Sequence, residues 1–97
     1  MRLSEYQINL IKDLSHRFFG KNAKVYLFGS RTDDNKKGGD IDIYIETDAK
    51  ENVFDRKIEM LVELEKNLGQ RKIDLVINNF GNHLPIYEVA KKEGILL

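Results

Sequence analysis

Cysteine is absent from the 97 residues, which excludes a disulfide framework and any thiolate metal site and leaves the redox compartment open. No apolar run approaches the roughly 20 residues that a membrane-spanning helix needs. The opening Met1-Arg2-Leu3-Ser4-Glu5-Tyr6-Gln7 lacks the apolar stretch of a signal peptide, so the expectation is a cytoplasmic protein with no membrane partner. An excess of either charge is missing too: 16 Lys and Arg balance 16 Asp and Glu for a formal net charge of +0. Without a long basic stripe, and with Lys36-Lys37 and Lys91-Lys92 only short solvated pairs, the charge pattern argues against nucleic acid as the main ligand. Repeats, linkers and low-complexity segments are also lacking.

A chain of this length is expected to form one domain over residues 1–97 and to bury around two-thirds of its unfolded surface. Ser4-Glu5-Tyr6-Gln7 has the order of a capping box, and Ile8, Leu10, Ile11, Leu14 and Phe18 give a broad helical stripe ending near Gly20. A second helix is expected from about Asn52 to Gly69, with Phe54, Ile58, Leu61, Val62 and Leu68 facing inward. The single proline, Pro85, suits the start of a third helix through Lys92, closed by Gly94 before Ile95-Leu96-Leu97. Between these lie three strand patterns, so the order reads helix, strand, strand, helix, strand, helix and a short final strand. The fold class is α/β (α+β): a mixed sheet with helices packed mainly on one face.

The chemistry concentrates at strand ends. Val25-Tyr26-Leu27-Phe28 is a short β-branched and aromatic run, read as a buried strand ending at Gly29. Without a side chain Gly29 lets the backbone approach a ligand, the Ser30 hydroxyl and following N–H groups can donate to phosphate oxygens, and Arg31 adds a planar fork of donors. On its own a Gly-Ser pair after a strand is more often a simple turn. After a polar spacer comes Asp40-Ile41-Asp42, where Ile41, Ile43 and Ile45 alternate with Asp40, Asp42, Tyr44 and Glu46 in the period of a strand with one buried face. Asp40 and Asp42 thus share a face with backbones about 6.5 to 7 Å apart. Two unit charges about 6 Å apart repel by roughly 3 kcal/mol at an effective dielectric of about 20, which a cation would relieve. Oxygen-only ligands suit Mg²⁺ or Mn²⁺, although a solvated strand face with alternating acids has the same pattern.

A third strand, Lys72 to Ile77, puts Ile73, Leu75 and Ile77 on one face and Asp74 on the other. A carboxylate among apolar residues is costly unless paired or metal-bound, so Asp74 is expected beside Asp40 and Asp42, with a salt bridge to Arg71 or Lys72 as the plainer alternative. An EF-hand over Asp33 to Tyr44 fails, because Tyr44 stands where the bidentate glutamate belongs and a strand replaces the exit helix. His16 and His83 lack ligand spacing and read as surface or helix-end residues, while Tyr26 and Phe28 read as packing.

Together these residues resemble the minimal nucleotidyltransferase (MNT) domains of the DNA polymerase β-like superfamily, whose pattern is Gly-Ser, a spacer, Asp-x-Asp and a later strand-borne Asp. The resemblance covers nearly the whole chain. It implies that Gly29 and Ser30, with Arg31, hold the triphosphate, that Asp40 and Asp42 bind divalent metal, and that Asp74 assists metal binding or activates the attacking group. Gly39 stands where a serine often precedes the first aspartate, and the spacer lacks a glycine soon after Arg31. Neither departure removes a phosphate or metal ligand.

The activity so implied is Mg²⁺-dependent transfer of a nucleoside monophosphate, AMP from ATP, to an acceptor hydroxyl. Stand-alone domains of this kind are often antitoxins of HEPN/MNT toxin–antitoxin pairs, and some transfer AMP to tyrosines of the HEPN-type toxin; this chain is similar to them. With 97 residues, no separate acceptor-binding domain is expected within this chain. The alternative is an antitoxin that neutralises its partner by contact alone. A third possibility, a nucleic-acid-modifying transferase with a separate subunit, is opposed by the charge balance.

Overall fold

The architecture follows from three amphipathic helices and a sheet whose central strands alternate isoleucine with polar or aromatic residues. In the computed structural model, which describes residues 3–28, 41–69, 72–79 and 85–97, the element order is α1 (Glu5–Phe19), β1 (Lys24–Phe28), β2 (Ile41–Glu46), α2 (Val53–Leu68), β3 (Ile73–Asn78), α3 (Pro85–Glu93) and β4 (Ile95–Leu96). This is the order expected from the sequence. None of the helices is long and apolar enough to cross a membrane, among the described residues.

Helix α1 starts at a complete capping box: the Gln7 N–H donates to Ser4 Oγ at 3.1 Å and the Ser4 N–H to Gln7 Oε1 at 2.9 Å. Two of the helix's first N–H groups, which have no partner within the helix, are served this way. At the other end, side chains from distant elements take its last carbonyls. Thr47 Oγ1 donates to the Phe19 carbonyl at 2.6 Å and Arg56 Nη1 to the Phe18 carbonyl at 3.2 Å, tying α1 to the end of β2 and to α2.

The four strands lie in the order β3-β2-β1-β4. β1 runs antiparallel to β2 and to β4, whereas β2 and β3 are parallel and joined through α2. On one face of this mixed sheet Val25, Leu27, Ile41, Ile43, Ile45 and Leu75 meet Ile11, Leu14 and Phe19 of α1 and Met60, Leu64 and Leu68 of α2 in one cluster. Each fully buried aliphatic side chain there contributes about 1.5–3 kcal/mol relative to exposure. Helix α3 lies on the opposite face, where Tyr87 packs on Tyr44 with ring centroids 5.5 Å apart. So α1 and α2 follow the expected one-sided packing, and α3 covers part of the other side.

The second helix has the expected span, and Leu61 and Leu68 face inward as expected, but Phe54, Ile58 and Val62 do not. Met60, Leu64 and Leu68 are buried, whereas Phe54, Ile58 and Val62 are exposed at 71%, 43% and 45%. Both sets repeat every four residues, so the period is the same and only the phase differs. The helix turns so that the arc of Val53, Met60, Leu61, Leu64 and Leu68 meets the isoleucine face.

Gly94 marks the passage from α3 into β4. A Cβ there would stand 2.2 Å from the Ala90 carbonyl oxygen and 2.9 Å from that of Leu27, distances at which no side chain fits. The absent side chain lets the helix end approach β1, and β4 then pairs Ile95 with Leu27 and Leu96 with Tyr26.

Candidate functional site

The sheet has two ends, and the acids lie at one of them. β1 leaves the sheet at Phe28, which stands opposite Asp42 in the antiparallel register. β2 enters beside it, with the Ile41 N–H donating to the Lys72 carbonyl at 2.9 Å. Across the parallel pair Asp42 stands directly opposite Asp74. Residues opposed in register project to the same face, and the strands are about 4.8 Å apart. Phe28, Asp42 and Asp74 therefore form one row across three strands, on the face opposite the isoleucine core.

Two carboxylates so placed repel one another, and water at the exposed Asp74 screens part of that repulsion. Asp74 is exposed, which corrects the expectation that a dry environment forces it to find a partner; it is the register of β2 and β3 that sets it beside Asp42. Hard oxygen donors on neighbouring strands fit a divalent cation such as Mg²⁺ or Mn²⁺. Among the described residues no group of three or more metal-ligating side chains comes together. Gly29, Ser30, Arg31 and Asp40, the remaining sequence-derived site residues, lie outside the described residues, as do Arg71 and His83. Gly29 is joined directly to Phe28, and Asp40 directly to Ile41.

Behind this row stands a polar network that sequence reasoning missed. Tyr44 is fully buried on the same face, between the rings of Tyr26 at 5.6 Å and Tyr87 at 5.5 Å. Its hydroxyl donates to Glu46 Oε2 at 2.9 Å and accepts from Asn78 Nδ2 at 3.1 Å. Glu46 in turn holds Lys91 of α3, with Nζ 3.2 Å from Oε2. Burial, more than the neighbouring carboxylate, pushes the Tyr44 phenol up to about 12, and the Glu46 carboxylate raises the Lys91 amine above its ordinary value. The phenol and the ammonium thus stay protonated at neutral pH and anchor α3 across the sheet. The parity of the strand was the available signal: Tyr44 sits among the outward positions of β2, where a large aromatic ring implies a covering element.

His16 occupies the expected helix-end position, its Nε2 3.3 Å from the Ala23 carbonyl. Tyr26 packs on Tyr44, in keeping with a packing role. A cleft of about 320 Å³ lined by Asn22, Lys24, Glu46, Thr47, Asp48 and Asn78 opens at the other end of the sheet. Four residues along β2, about 13 Å, separate Glu46 from Asp42, so this cleft is distinct from the row of acids.

Residues 9–97 match the family model described as "Polymerase beta, Nucleotidyltransferase". No curated protein sequence matches the chain significantly.

Proposed function

The chain belongs to the polymerase β-type nucleotidyltransferase family, and from that premise we propose that it transfers AMP from ATP to a hydroxyl acceptor, a tyrosine of a HEPN-type toxin, and so acts as a cytoplasmic antitoxin. The family membership supports the general transferase class. The observation that supports a metal-dependent transfer is the register of Asp42 against Asp74 at the end of the sheet where β1 ends at Phe28; the acceptor and the antitoxin role rest on the resemblance of the sequence alone.

In the reaction the acceptor oxygen forms a bond to the α-phosphorus while the bond from that phosphorus to the bridging oxygen breaks, releasing pyrophosphate. Asp40, Asp42 and Asp74 would hold Mg²⁺, which when bound neutralises phosphate charge and orients the triphosphate for in-line displacement. Asp74, exposed on its strand, would either complete that metal shell or take the proton of an acceptor hydroxyl arriving from solvent. Asp42, half-buried and central in the row, would act as an oxygen ligand. Gly29 and Ser30 would receive the β- and γ-phosphates on backbone and hydroxyl donors, with Arg31 offsetting the charge that gathers on the departing pyrophosphate.

The test is intact mass spectrometry of a HEPN-type protein encoded beside this one, after incubation with this protein, ATP and Mg²⁺. A gain of one or more adenylyl units with the native chain, absent with Asp42→Asn, supports the transferase. No gain while a stable complex still forms favours neutralisation by contact alone.

A further inference from the structure

Strand β3 forms one edge of the sheet, and it carries Asp74. Successive residues of a strand turn their main-chain groups to opposite sides. The Ile41 N–H donates to the Lys72 carbonyl at 2.9 Å and the Thr47 N–H to the Asn78 carbonyl at 3.0 Å, so Lys72, Asp74, Val76 and Asn78 turn theirs to β2. Ile73, Leu75 and Ile77 turn theirs outward. The Ile77 carbonyl accepts from the Tyr87 hydroxyl at 3.4 Å. Ile73 and Leu75, the two neighbours of Asp74, have no hydrogen-bond partner on that side among the described residues.

Leu75 buries its side chain in the core and is 4% exposed, so water serves its outward groups poorly. Main-chain donors and acceptors left unmatched in such a setting are rare, and an open strand edge is a template for another strand. The opposite edge offers less, since β4 spans two residues. Antiparallel addition to β3 sets Asp74 at a position without ladder hydrogen bonds, where opposed Cα atoms are about 4.5 Å apart and the two side chains share a face. The side chain opposite Asp74 then stands in line with Asp42 and Asp74. A long hydroxyl-bearing side chain there extends along the row towards Asp42, whereas a short one stops beside Asp74. A second copy on this edge would supply main-chain partners alone; a segment of the acceptor supplies those and the hydroxyl that the transfer needs.

We propose that the free edge of β3 receives an extended segment of the acceptor protein as an added antiparallel strand, with the hydroxyl-bearing residue opposite Asp74. The identity of the occupant rests on the transfer reaction proposed above; the docking mode rests on the strand edge.

The experiment titrates the ¹⁵N-labelled protein with three synthetic peptides of alternating threonine and valine around one central tyrosine: the parent, a form N-methylated at both residues flanking the tyrosine, and a form N-methylated at the tyrosine itself. In the expected register the flanking N–H groups bond to Ile73 and Leu75, and the tyrosine N–H points away. The parent should shift the amides of residues 73–77. Methylation of the flanks should weaken binding about tenfold or more, whereas methylation at the tyrosine should leave most of it. Ile73→Pro removes an outward N–H without touching the ladder to β2 and should weaken the parent as flank methylation does, with its fold checked by circular dichroism. Incubation of the parent peptide with the protein, ATP and Mg²⁺, read by intact mass, separates the two readings: shifts at residues 73–77 without an adenylyl gain support the docking edge and count against the transfer reaction. Absence of shifts there, equal loss from both methylations, or self-association of the chain that Ile73→Pro abolishes would each overturn the proposal, whatever the transfer assay gives.

Discussion

Replacing Tyr44 with Phe keeps the ring between Tyr26 and Tyr87 and deletes one hydroxyl, which isolates the polar network that anchors α3. Two hydrogen bonds disappear, the 2.9 Å bond to Glu46 and the 3.1 Å bond from Asn78. Glu46 keeps Lys91 and remains partly open to water, so its loss is small. Asn78 is only 4% exposed, and leaving a buried donor without that acceptor costs about 1–3 kcal/mol. The expected destabilisation is about 2 kcal/mol, which in a domain of this size lowers Tm by roughly 8–16 °C. A second signature lies in alkali. The folded phenol titrates at about 12 against 10.0 for the free group, so between those values the unfolded chain loses its proton first and the native state becomes less stable as pH rises. The contribution is intact below about pH 10 and is lost progressively towards pH 12, by at most about 2.7 kcal/mol. Urea unfolding followed by circular dichroism, at neutral pH and across the alkaline range, measures both. A change under about 0.5 kcal/mol at neutral pH, or an alkaline slope identical in the native chain and in Tyr44→Phe, would refute the reasoning.

Ser4→Ala removes the hydroxyl that accepts from the Gln7 N–H and should cost about 1 kcal/mol, read as a Tm lower by about 4–8 °C; Ser4→Asp should retain most of that stability. Gly94→Ala forces a methyl group against the Ala90 and Leu27 carbonyls and should destabilise by more than about 1 kcal/mol, with the amides of residues 95–97 exchanging faster with solvent than in the native chain. Asp74→Asn, on an exposed strand position, should leave the unfolding midpoint within about 0.5 kcal/mol of native while lowering transfer of labelled AMP at least about tenfold.

Much of this architecture could be read locally. Ser4 and Gln7 name the start of α1, Gly20 and Gly69 follow the helices they close, and the alternation of Ile41, Ile43 and Ile45 assigns both the core face of β2 and the opposite parity of Asp42. The phase of α2 could not be read, because Phe54/Ile58/Val62 and Met60/Leu64/Leu68 have the same spacing and only the sheet beneath decides which set is buried. Asp74 was expected beside Asp42, but from a dry setting it does not have; the parallel register that puts it there, between strands separated by an entire helix, was not legible. The Tyr44 network was illegible for the same reason. Its partners Asn78, Tyr87 and Lys91 come from β3 and α3, and nothing local to Tyr44 indicates which helix will cover it.

We propose that Asp42 and Asp74 form, at the end of the sheet where β1 ends at Phe28, a divalent-cation site for a nucleoside triphosphate. Its most direct test is paramagnetic broadening of the ¹⁵N-labelled protein by Mn²⁺ with a non-hydrolysable ATP analogue. Selective loss of the amide signals of residues 41–43 and 73–75, reversed by excess Mg²⁺ and abolished in Asp42→Asn/Asp74→Asn, is the predicted result. Broadening that is absent there, or that survives the double substitution, would contradict it.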